Sequence, residues 1–280
     1  MATKRVQTRR RVTPYHPSAS GGRILNCLKS RDTENDWPAE AALRSGIVAT
    51  VRAPASKDLR QGNQWWDVGD QGQTGSCVGW ASADSVLRWH FVNAGRLGQR
   101  ERLSVRFVWM AAKETDQFVT RPTTFIEADG TSLKAALDIA RRYGVVLDPD
   151  LPFKAGELYP GEASTFYSRA SMRRISSYYK LSDDPAAKLP GFKNWIATVG
   201  PILTRLDVDA TWMNVGNNGV LDKYKANQTY GGHAVAIVGY NAKQFIIRNS
   251  WGPGWGDHGY AYASPQYALA AFSEAYGVVV

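Results

Sequence analysis

The sequence predicts an α+β protein with two lobes, a helical lobe followed by a β-rich lobe. Up to about residue 172, apolar side chains recur at steps of three and four positions, which indicates amphipathic helices. From about residue 173, the pattern changes to short runs of β-branched and aromatic residues, which favour strands. A chain of 280 residues is long enough for two such lobes. A cleft between them is the expected place for a functional site.

The helices predicted in the first half differ in the strength of their signals. Asp36–Ser45 has an aspartate as a cap, a proline two residues later and a following glycine, so it predicts a short helix. A strand is predicted next, over Ile47–Arg52. The strongest helix begins near Ser76 and ends at Gly95. Two further helices are predicted over Ser104–Thr115 and Ser132–Tyr143.

The second half contains four short runs that are typical of strands. Each run is rich in β-branched or aromatic residues. One predicted helix, Leu189–Val199, interrupts them. The four runs are R-I-S-S-Y-Y-K-L, P-I-L-T-R-L-D-V, H-A-V-A-I-V-G-Y and Q-F-I-I-R-N-S-W.

Positive charge is concentrated at the N-terminus. The formal net charge is +9, and residues 1–31 carry eight of the 34 Lys and Arg side chains but no acidic residue. The rest of the chain is close to neutral, which argues against nucleic-acid binding by its body. Residues 1–22 are predicted to form a mobile arm. A weak contact with an anionic partner and a sorting signal are the alternatives for this arm.

Three absences bear on where the protein works. No apolar run reaches the roughly 18 residues that span a bilayer. No apolar segment follows the basic start, as it would in a secretory signal peptide. The only two cysteines, Cys27 and Cys77, permit at most one disulfide. We therefore expect a protein without a membrane span in a reducing compartment, either cytoplasmic or exported without a cleavable signal peptide.

Cys77 is the candidate nucleophile because of its position. It lies where the loop D-Q-G-Q-T-G-S-C becomes the strongest predicted helix. Unpaired N–H groups in the first turn of a helix favour a thiolate, and a neighbouring histidine can take the thiol proton. A packed, inert thiol is the alternative interpretation. Cys27 has no assigned role.

His233 is the best candidate for a base that acts on Cys77. It stands at the head of a predicted strand, directly after two glycines. His90 lies thirteen residues further along the Cys77 helix, about 20 Å away by helical rise. A lone histidine in such a position is more often structural than catalytic. The other two histidines are His16, in the basic arm, and His258, in a glycine-rich loop.

A base of this kind needs a group that orients its second ring nitrogen. Asn249 ends the strand predicted after that of His233, so antiparallel pairing of the two strands brings them together. Trp251 follows closely and can cover their contact from water.

Three segments of the chain resemble the papain-like cysteine peptidases. Q-G-Q-T-G-S-C resembles the nucleophile segment, G-G-H-A-V-A-I-V-G-Y the histidine strand, and I-I-R-N-S-W-G-P-G-W-G-D-H-G-Y the asparagine segment. His233 and Asn249 follow Cys77 by 156 and 172 residues, a slightly longer interval than usual but in the family's order. The resemblance spans about residues 50–280. It implies a papain-like two-lobe fold whose second lobe is an antiparallel sheet or barrel.

The resemblance also implies a role for each matching residue. Cys77 would be the nucleophile, His233 the base and acid, and Asn249 the residue that orients His233. The Gln71 side chain and the Cys77 backbone N–H would form the oxyanion hole, and Trp251 would shield the His233–Asn249 contact. Looser parts of the match imply that Gly130 and Thr131 border the bound peptide backbone and that Ile202 lines the pocket for the side chain before the cleaved residue.

The implied function is that of a cysteine endopeptidase acting on proteins or peptides through a thioester, with no metal or cofactor. A transpeptidase, amidase or deamidase with the same triad and a non-catalytic binding protein on this scaffold are the alternatives. Thr74 stands where the family usually has a cysteine, which indicates a disulfide-poor, bacterial-type member. A translocated effector or toxin fits that description. The oligomeric state stays open.

The chain is accordingly divided into three parts. Residues 1–50 form a basic N-terminal extension or a short pro-segment. Residues 51–172 form the helical lobe with the nucleophile, and residues 173–280 form the β-rich lobe with the histidine and the asparagine.

Overall fold

The computed structural model describes residues 22–49, 51–115, 129–154 and 159–280. The predicted mobile arm, apart from Gly22, therefore lies outside the described residues. Within these ranges, no helix combines the length and the apolar character needed to cross a membrane.

Helices dominate the first part of the chain. The element α2 runs without a break through three segments, Cys77–Gly79, Trp80–Leu87 and Arg88–Asn93, of which the middle one is π-helical. The other α-helices of the described residues are α1 (Ala39–Arg44), α3 (Val105–Thr115), α4 (Leu133–Arg142), α5 (Ala163–Ser171), α6 (Pro185–Thr198), α7 (Ala210–Met213) and α8 (Pro265–Ala271).

One eight-stranded sheet forms the second part of the fold. The strand order is β2-β8-β3-β5-β6-β7-β4, and β1 pairs with β5 off this path. All pairs are antiparallel except β4 with β7. Among the described residues, the two ends of the order do not pair, so the sheet is open. The strands are β1 (Lys57–Asp58), β2 (Ser177–Lys180), β3 (Ile202–Asp209), β4 (Val220–Leu221), β5 (Thr229–Tyr240), β6 (Phe245–Arg248), β7 (Tyr260–Ala263) and β8 (Phe272–Val279).

The helix α2 is the central buried element. Every residue of its π-helical segment is buried. Gly79 allows α3 to approach closely, because a Cβ at this position would lie 2.7 Å from the carbonyl oxygen of Val105. The chain leaves the helix at Gly95, whose φ of 67° is in the left-handed region that glycine adopts freely. The start of α2, with Cys77, is therefore held firmly against both lobes.

The α+β prediction is confirmed, and the strongest predicted helices agree with the structure to within one or two residues. The predicted strand over Ile47–Arg52 is wrong for its described residues, which form bends and irregular chain. Asp36 does not cap α1, because Pro38 holds the N-cap position. The Asp36 carboxylate instead accepts hydrogen bonds from Lys134 and from the Tyr276 hydroxyl. The structure also adds α5, α8 and β8, which the sequence patterns did not indicate.

A buried ion pair joins α2 to β6. Arg248 Nη2 lies 2.8 Å from Asp84 Oδ2, and both side chains are at most 2% exposed. Arg102 Nη1 lies 2.7 Å from the other Asp84 oxygen, and Arg88 lies 3.6 Å from the same oxygen. Arg248 also donates to the Ser85 hydroxyl. Asp84 therefore supplies the negative charge that compensates Arg248 inside the protein.

We expect Asp84→Ala to lower the free energy of unfolding by about 3–5 kcal/mol, because it leaves Arg248 buried without a counter-charge. Urea denaturation monitored by tryptophan fluorescence measures this loss. The double variant Asp84→Leu/Arg248→Met is the control. We expect it to be more stable than the sum of its single variants predicts, by about 1 kcal/mol or more. Strictly additive losses would contradict the pairing.

Candidate active site

Cys77 is the first residue of α2 and is completely buried. The preceding residue, Ser76, holds the N-cap position, and its carbonyl oxygen accepts a hydrogen bond from the Trp80 N–H at 3.1 Å. The N–H groups of the first helical turn therefore surround the thiol with partial positive charge. This is the position that the sequence predicted for the candidate nucleophile.

His233 and Asn249 are joined by a hydrogen bond. His233 Nε2 lies 2.7 Å from Asn249 Oδ1. The same Oδ1 accepts the backbone N–H of Ser250 at 2.8 Å, which identifies this atom as the amide oxygen. Nε2 must then carry the hydrogen, and Nδ1 is the ring nitrogen left to exchange a proton with Cys77. Antiparallel pairing of β5 and β6 produces this arrangement, as the sequence predicted.

Two tryptophans pack against the histidine, and a third packs on both of them. The Trp251 ring centroid lies 5.0 Å from that of His233, and the Trp212 centroid lies 5.8 Å from it. Trp255 packs on Trp212 at 4.7 Å and on Trp251 at 5.7 Å. The shielding role was expected of Trp251 alone. Trp212 comes from α7, which follows β3, and no local motif connects it with the histidine.

Gln71 is buried, and both ends of its side-chain amide are held. Its Oε1 accepts from the Ser250 hydroxyl at 2.9 Å, and its Nε2 donates to the Thr74 carbonyl oxygen at 2.9 Å. The Gln71 backbone N–H also donates to the Ser250 carbonyl at 2.8 Å. An amide nitrogen has two hydrogens, so one is left for a ligand. Ser250, which sequence analysis did not single out, thus connects Gln71 to Asn249.

Residues 23–30, which we call the cleft segment, lie across the site. The Cys27 N–H donates to the Gly232 carbonyl at 2.9 Å, and the Leu28 N–H donates to the Thr131 carbonyl at 3.0 Å. The segment therefore contacts the helical lobe on one side and the sheet on the other. A Cβ at Gly232 would lie 2.0 Å from the Cys27 carbonyl oxygen, so only glycine permits this approach.

Both ends of the cleft segment are held by side chains. Arg23 Nη1 lies 2.6 Å from Asp70 Oδ1 and also donates to the Gly72 carbonyl. Arg23 Nη2 donates to the Trp251 carbonyl at 3.2 Å. At the other end, Ser30 donates to the buried Glu274 carboxylate through its N–H and its hydroxyl.

Of the three residues predicted to bind substrate, two lie at the site and one does not. Thr131 contacts the cleft segment, and a Cβ on Gly130 would lie 1.5 Å from the Asn26 carbonyl oxygen. Ile202 is not brought to the site, because it is fully buried and pairs with Ile237, four residues along β5 from His233. Arg205, on the same strand, contacts the segment instead, since its Nε donates to the Cys27 carbonyl at 3.0 Å. Side chains alternate along a strand, so Arg205 and Ile202 face opposite sides of the sheet.

The two thiols of the protein are both buried, and the hydrogen bond that the Cys27 thiol donates goes to the Leu28 carbonyl oxygen at 3.7 Å. The pKa of Cys77 is lowered well below its usual value, first by the nearby Cys27 side chain. Burial opposes this shift, and hydrogen bonding and positive charge from His233 reinforce it. The pKa of Cys27 is raised well above its usual value by burial and by the adjacent Cys77 sulfur. The sequence assigned Cys27 no role, because only the tertiary structure brings the two cysteines together.

The other two histidines among the described residues lie apart from this arrangement. His90 is near the far end of α2, and burial lowers its pKa to about 4. Its ring packs against Trp89 and next to Gly200. His258 is on the surface, with 89% of its side chain exposed. His16 lies outside the described residues.

Comparison with known proteins identifies the family. Residues 53–273 match the papain family of cysteine proteases. Cathepsin B-like CP3 of Giardia intestinalis is 29% identical over 231 residues, which cover 79% of this chain and 72% of that protein. Cathepsin K of Mus musculus is 26% identical over 215 residues, which cover 75% of this chain and 59% of that protein. The matched part thus falls short of two thirds of the length of some curated relatives.

Solved structures share the fold. Xylellain, a cysteine protease from Xylella fastidiosa, has a TM-score of 0.72 at 21% identity, with 92% of this chain and 97% of that chain covered. Procathepsin B S9 from Trypanosoma congolense has a TM-score of 0.68 at 17% identity, with 93% of this chain and 88% of that chain covered. The fold and the curated relatives together identify the protein as a papain-like cysteine peptidase. The chain belongs to the papain family of cysteine proteases, as the resemblance implied.

We expect iodoacetamide to label Cys77 faster than Cys27 at pH 6. The lowered pKa gives Cys77 a larger thiolate fraction than Cys27 at this pH, whereas the rate for Cys27 falls about tenfold per pH unit below its raised pKa. Peptide mass spectrometry after timed labelling measures both rates. Unfolding in urea is the control, because it restores ordinary pKa values to both thiols. Equal rates in the folded protein at pH 6 would count against an activated Cys77.

Proposed function

We propose that the protein is a cysteine endopeptidase that hydrolyses peptide bonds through a thioester acyl-enzyme. One observation carries the proposal: Cys77, at the start of α2, packs against β5, which holds His233, and the Nε2 of His233 is hydrogen-bonded to Asn249. This arrangement provides a nucleophile, a proton carrier and a group that orients the carrier. Family membership supports the same reaction class.

The proposed reaction has two stages. The Cys77 thiolate attacks the carbonyl carbon of the scissile bond, and the free Gln71 amide hydrogen and the Cys77 N–H stabilise the oxyanion. His233 Nδ1 then gives its proton to the leaving amine, which leaves a thioester on Cys77. In the second stage, His233 takes a proton from water as the water attacks the thioester. The acid product leaves, and Cys77 returns to the thiolate form.

Asn249 and the tryptophans keep His233 in the form that this reaction needs. The hydrogen bond to Asn249 fixes the proton on Nε2, so Nδ1 is the atom that gives and takes protons. The rings of Trp251 and Trp212 cover the imidazole and exclude water from this bond. A hydrogen bond in such a site is stronger than one exposed to solvent.

The proposed substrate is an extended stretch of protein or peptide. The carbonyl oxygens of Gly232 and Thr131 accept N–H groups from the backbone of the cleft segment. The same two acceptors would bind backbone N–H groups of a substrate, because they do not depend on its side chains. Arg205 and Glu274 line the same cleft and would influence which side chains fit.

We also infer that the cleft segment inhibits the enzyme, which corresponds to the pro-segment alternative for residues 1–50. The segment runs between Thr131 and Gly232, Cys77 is completely buried, and the Cys27 carbonyl oxygen accepts from Arg205 Nε, a side chain outside the proposed oxyanion hole. The segment thus occupies the cleft without offering this carbonyl for attack. The proposed division into an extension (1–50), a helical lobe (51–172) and a β-rich lobe (173–280) agrees with such an arrangement.

We expect Arg23→Ala to raise the initial rate of peptide hydrolysis about fivefold, because a partly exposed ion pair contributes about 1 kcal/mol. The variant removes the contacts of Arg23 with Asp70, Gly72 and Trp251. Lys29→Ala is the matched control, since it removes an exposed positive charge from the same segment. A fluorogenic peptide assay compares the initial rates. Equal rates for the two variants would argue against an inhibitory role for the segment.

We expect Cys77→Ala to reduce peptide hydrolysis by at least about 10³-fold without changing the fold. The comparison uses Arg23→Ala as the background in both proteins, so that the cleft segment limits neither. Mass spectrometry of products from a peptide library, with and without an added amine, separates hydrolysis from transpeptidation. Residual turnover in Cys77→Ala would remove this residue from the nucleophile role. Amide products formed in preference to acids would instead favour a transpeptidase.

A further inference from the structure

Asp209 is a buried carboxylate near the site that the proposed reaction does not use. It is the last residue of β3 and the N-cap of α7, and it is completely buried. Its Oδ1 accepts the Trp212 N–H at 3.1 Å and the Tyr267 hydroxyl at 2.7 Å. Its Oδ2 accepts the Lys225 N–H at 2.8 Å. One side chain therefore joins β3, α7, α8 and the chain that follows β4.

Capping of α7 does not by itself explain a carboxylate at this position. A cap needs one acceptor oxygen, which a serine or threonine supplies without burying a charge. All three donors to Asp209 are uncharged groups. Burial and this carboxylate raise the pKa of Tyr267, so its hydroxyl keeps its proton and remains a donor. The second oxygen and the additional donors indicate a residue that holds the chain in more than one direction.

Trp212 connects this carboxylate to the histidine. Its ring lies edge-on to His233, with centroids 5.8 Å apart and an interplanar angle of 75°. It also packs on Trp251 and Trp255, at centroid distances of 6.2 and 4.7 Å. Among the described residues, Trp212 Nε1 has no hydrogen-bond partner. The position of the ring therefore depends on packing and on the path of α7, whose first turn Asp209 fixes.

The path of β3 brings Asp209 to the end of the sheet where the histidine lies. Leu206 pairs with His233 across β3 and β5, and the strand ends three residues later at Asp209. The register shifts directly before Asp209, as at a β-bulge, which bends a strand and changes the direction of its side chains. The helix α7 begins directly after this irregularity, and its Trp212 then packs against the imidazole.

We propose that Asp209 is a positioning residue for the catalytic histidine and that it acts through Trp212. The carboxylate fixes the start of α7, α7 places the Trp212 ring, and the ring limits the orientations that the His233 imidazole can adopt. The imidazole then keeps its bond to Asn249 while its Nδ1 exchanges a proton with Cys77. The proposal rests on the proposed function, because it needs His233 to act as the base and acid.

The first test compares three variants of the full-length chain, each in the Arg23→Ala background. We expect Asp209→Ala to lower kcat for a fluorogenic peptide by about tenfold to a hundredfold with little change in KM, because a misplaced histidine slows the chemical step. Asp209→Asn keeps an acceptor for Trp212 and Tyr267, so its kcat should return close to that of the background protein. Asp184→Ala is the matched control, since it removes an exposed N-cap carboxylate from α6. Equal losses in all three variants would overturn the proposal.

A double variant tests whether the effect of Asp209 passes through the tryptophan. Trp212→Leu removes the ring, so adding Asp209→Ala to it should lower kcat no further. A merely structural role would give losses that multiply, and that result would overturn the proposal. Urea unfolding and near-ultraviolet circular dichroism check that each variant is folded. If Asp209→Ala does not fold, Tyr267→Phe takes its place, because it removes one of the three donors and should lower kcat by a smaller factor.

Labelling of Cys77 separates this proposal from the proposed function. Its rate with iodoacetamide is followed by mass over a range of pH, which requires no peptide hydrolysis. The charge of His233 and the nearby Cys27 side chain both act on the Cys77 thiol. A displaced imidazole should therefore move the midpoint of the profile to higher pH, by about one unit in Asp209→Ala. Asp184→Ala should leave the profile unchanged.

The outcomes of the labelling are distinct. An unchanged midpoint and an unchanged kcat in Asp209→Ala would overturn the positioning role. A shifted midpoint in a protein that shows no hydrolysis would support the positioning role and contradict the proposed peptidase.

Discussion

The buried ion pair between Asp84 and Arg248 is the constraint on which the rest of the structure depends. Asp84 lies seven residues after Cys77 on α2, and Arg248 directly precedes Asn249 on β6. The pair therefore fixes the distance between the element that carries the thiol and the element that carries the asparagine. Burying two charges costs several kcal/mol each unless they compensate one another, so an arrangement of the lobes that separates Asp84 from Arg248 is disfavoured. The precision of the site follows from that restriction.

Around this ion pair, the site consists mainly of residues at the ends of helices and strands and of backbone groups. The thiol lies at a helix start, the histidine near the head of β5 and the asparagine just beyond β6. On two walls of the cleft, the carbonyl oxygens of Gly232 and Thr131 accept hydrogen bonds from the cleft segment. Such walls bind any extended chain that approaches closely. The cleft segment occupies these acceptors, and the proposed substrate would use the same ones, so the proposed inhibition and the proposed recognition would share one set of contacts.

The sequence predicted most of what depends on short-range patterns. Helical periodicity located α2 and α4, and three motifs pointed to Cys77, His233 and Asn249, which the structure brings to one cleft. The failures have physical causes. The described residues of the run after residue 46 pair with no strand although β-branched residues are among them, so strand propensity alone was insufficient. Ile202 was expected at the cleft, yet strand alternation turns Arg205 there instead. Cys27 and Trp212 also contact the site. Both are far in sequence from the residues they contact, so no local pattern could predict these contacts.

The cleft segment belongs to the same polypeptide as the enzyme, and this affects how its binding responds to dilution. A separate inhibitor leaves its target on dilution, but a segment of the same chain binds by a unimolecular step whose equilibrium does not depend on protein concentration. Dilution after secretion or lysis would therefore leave the cleft occupied. Ionic strength acts differently, because the Arg23–Asp70 pair is partly exposed to solvent and is screened by salt. Under the proposed inhibition, occupancy of the cleft would respond to ionic strength and not to protein concentration.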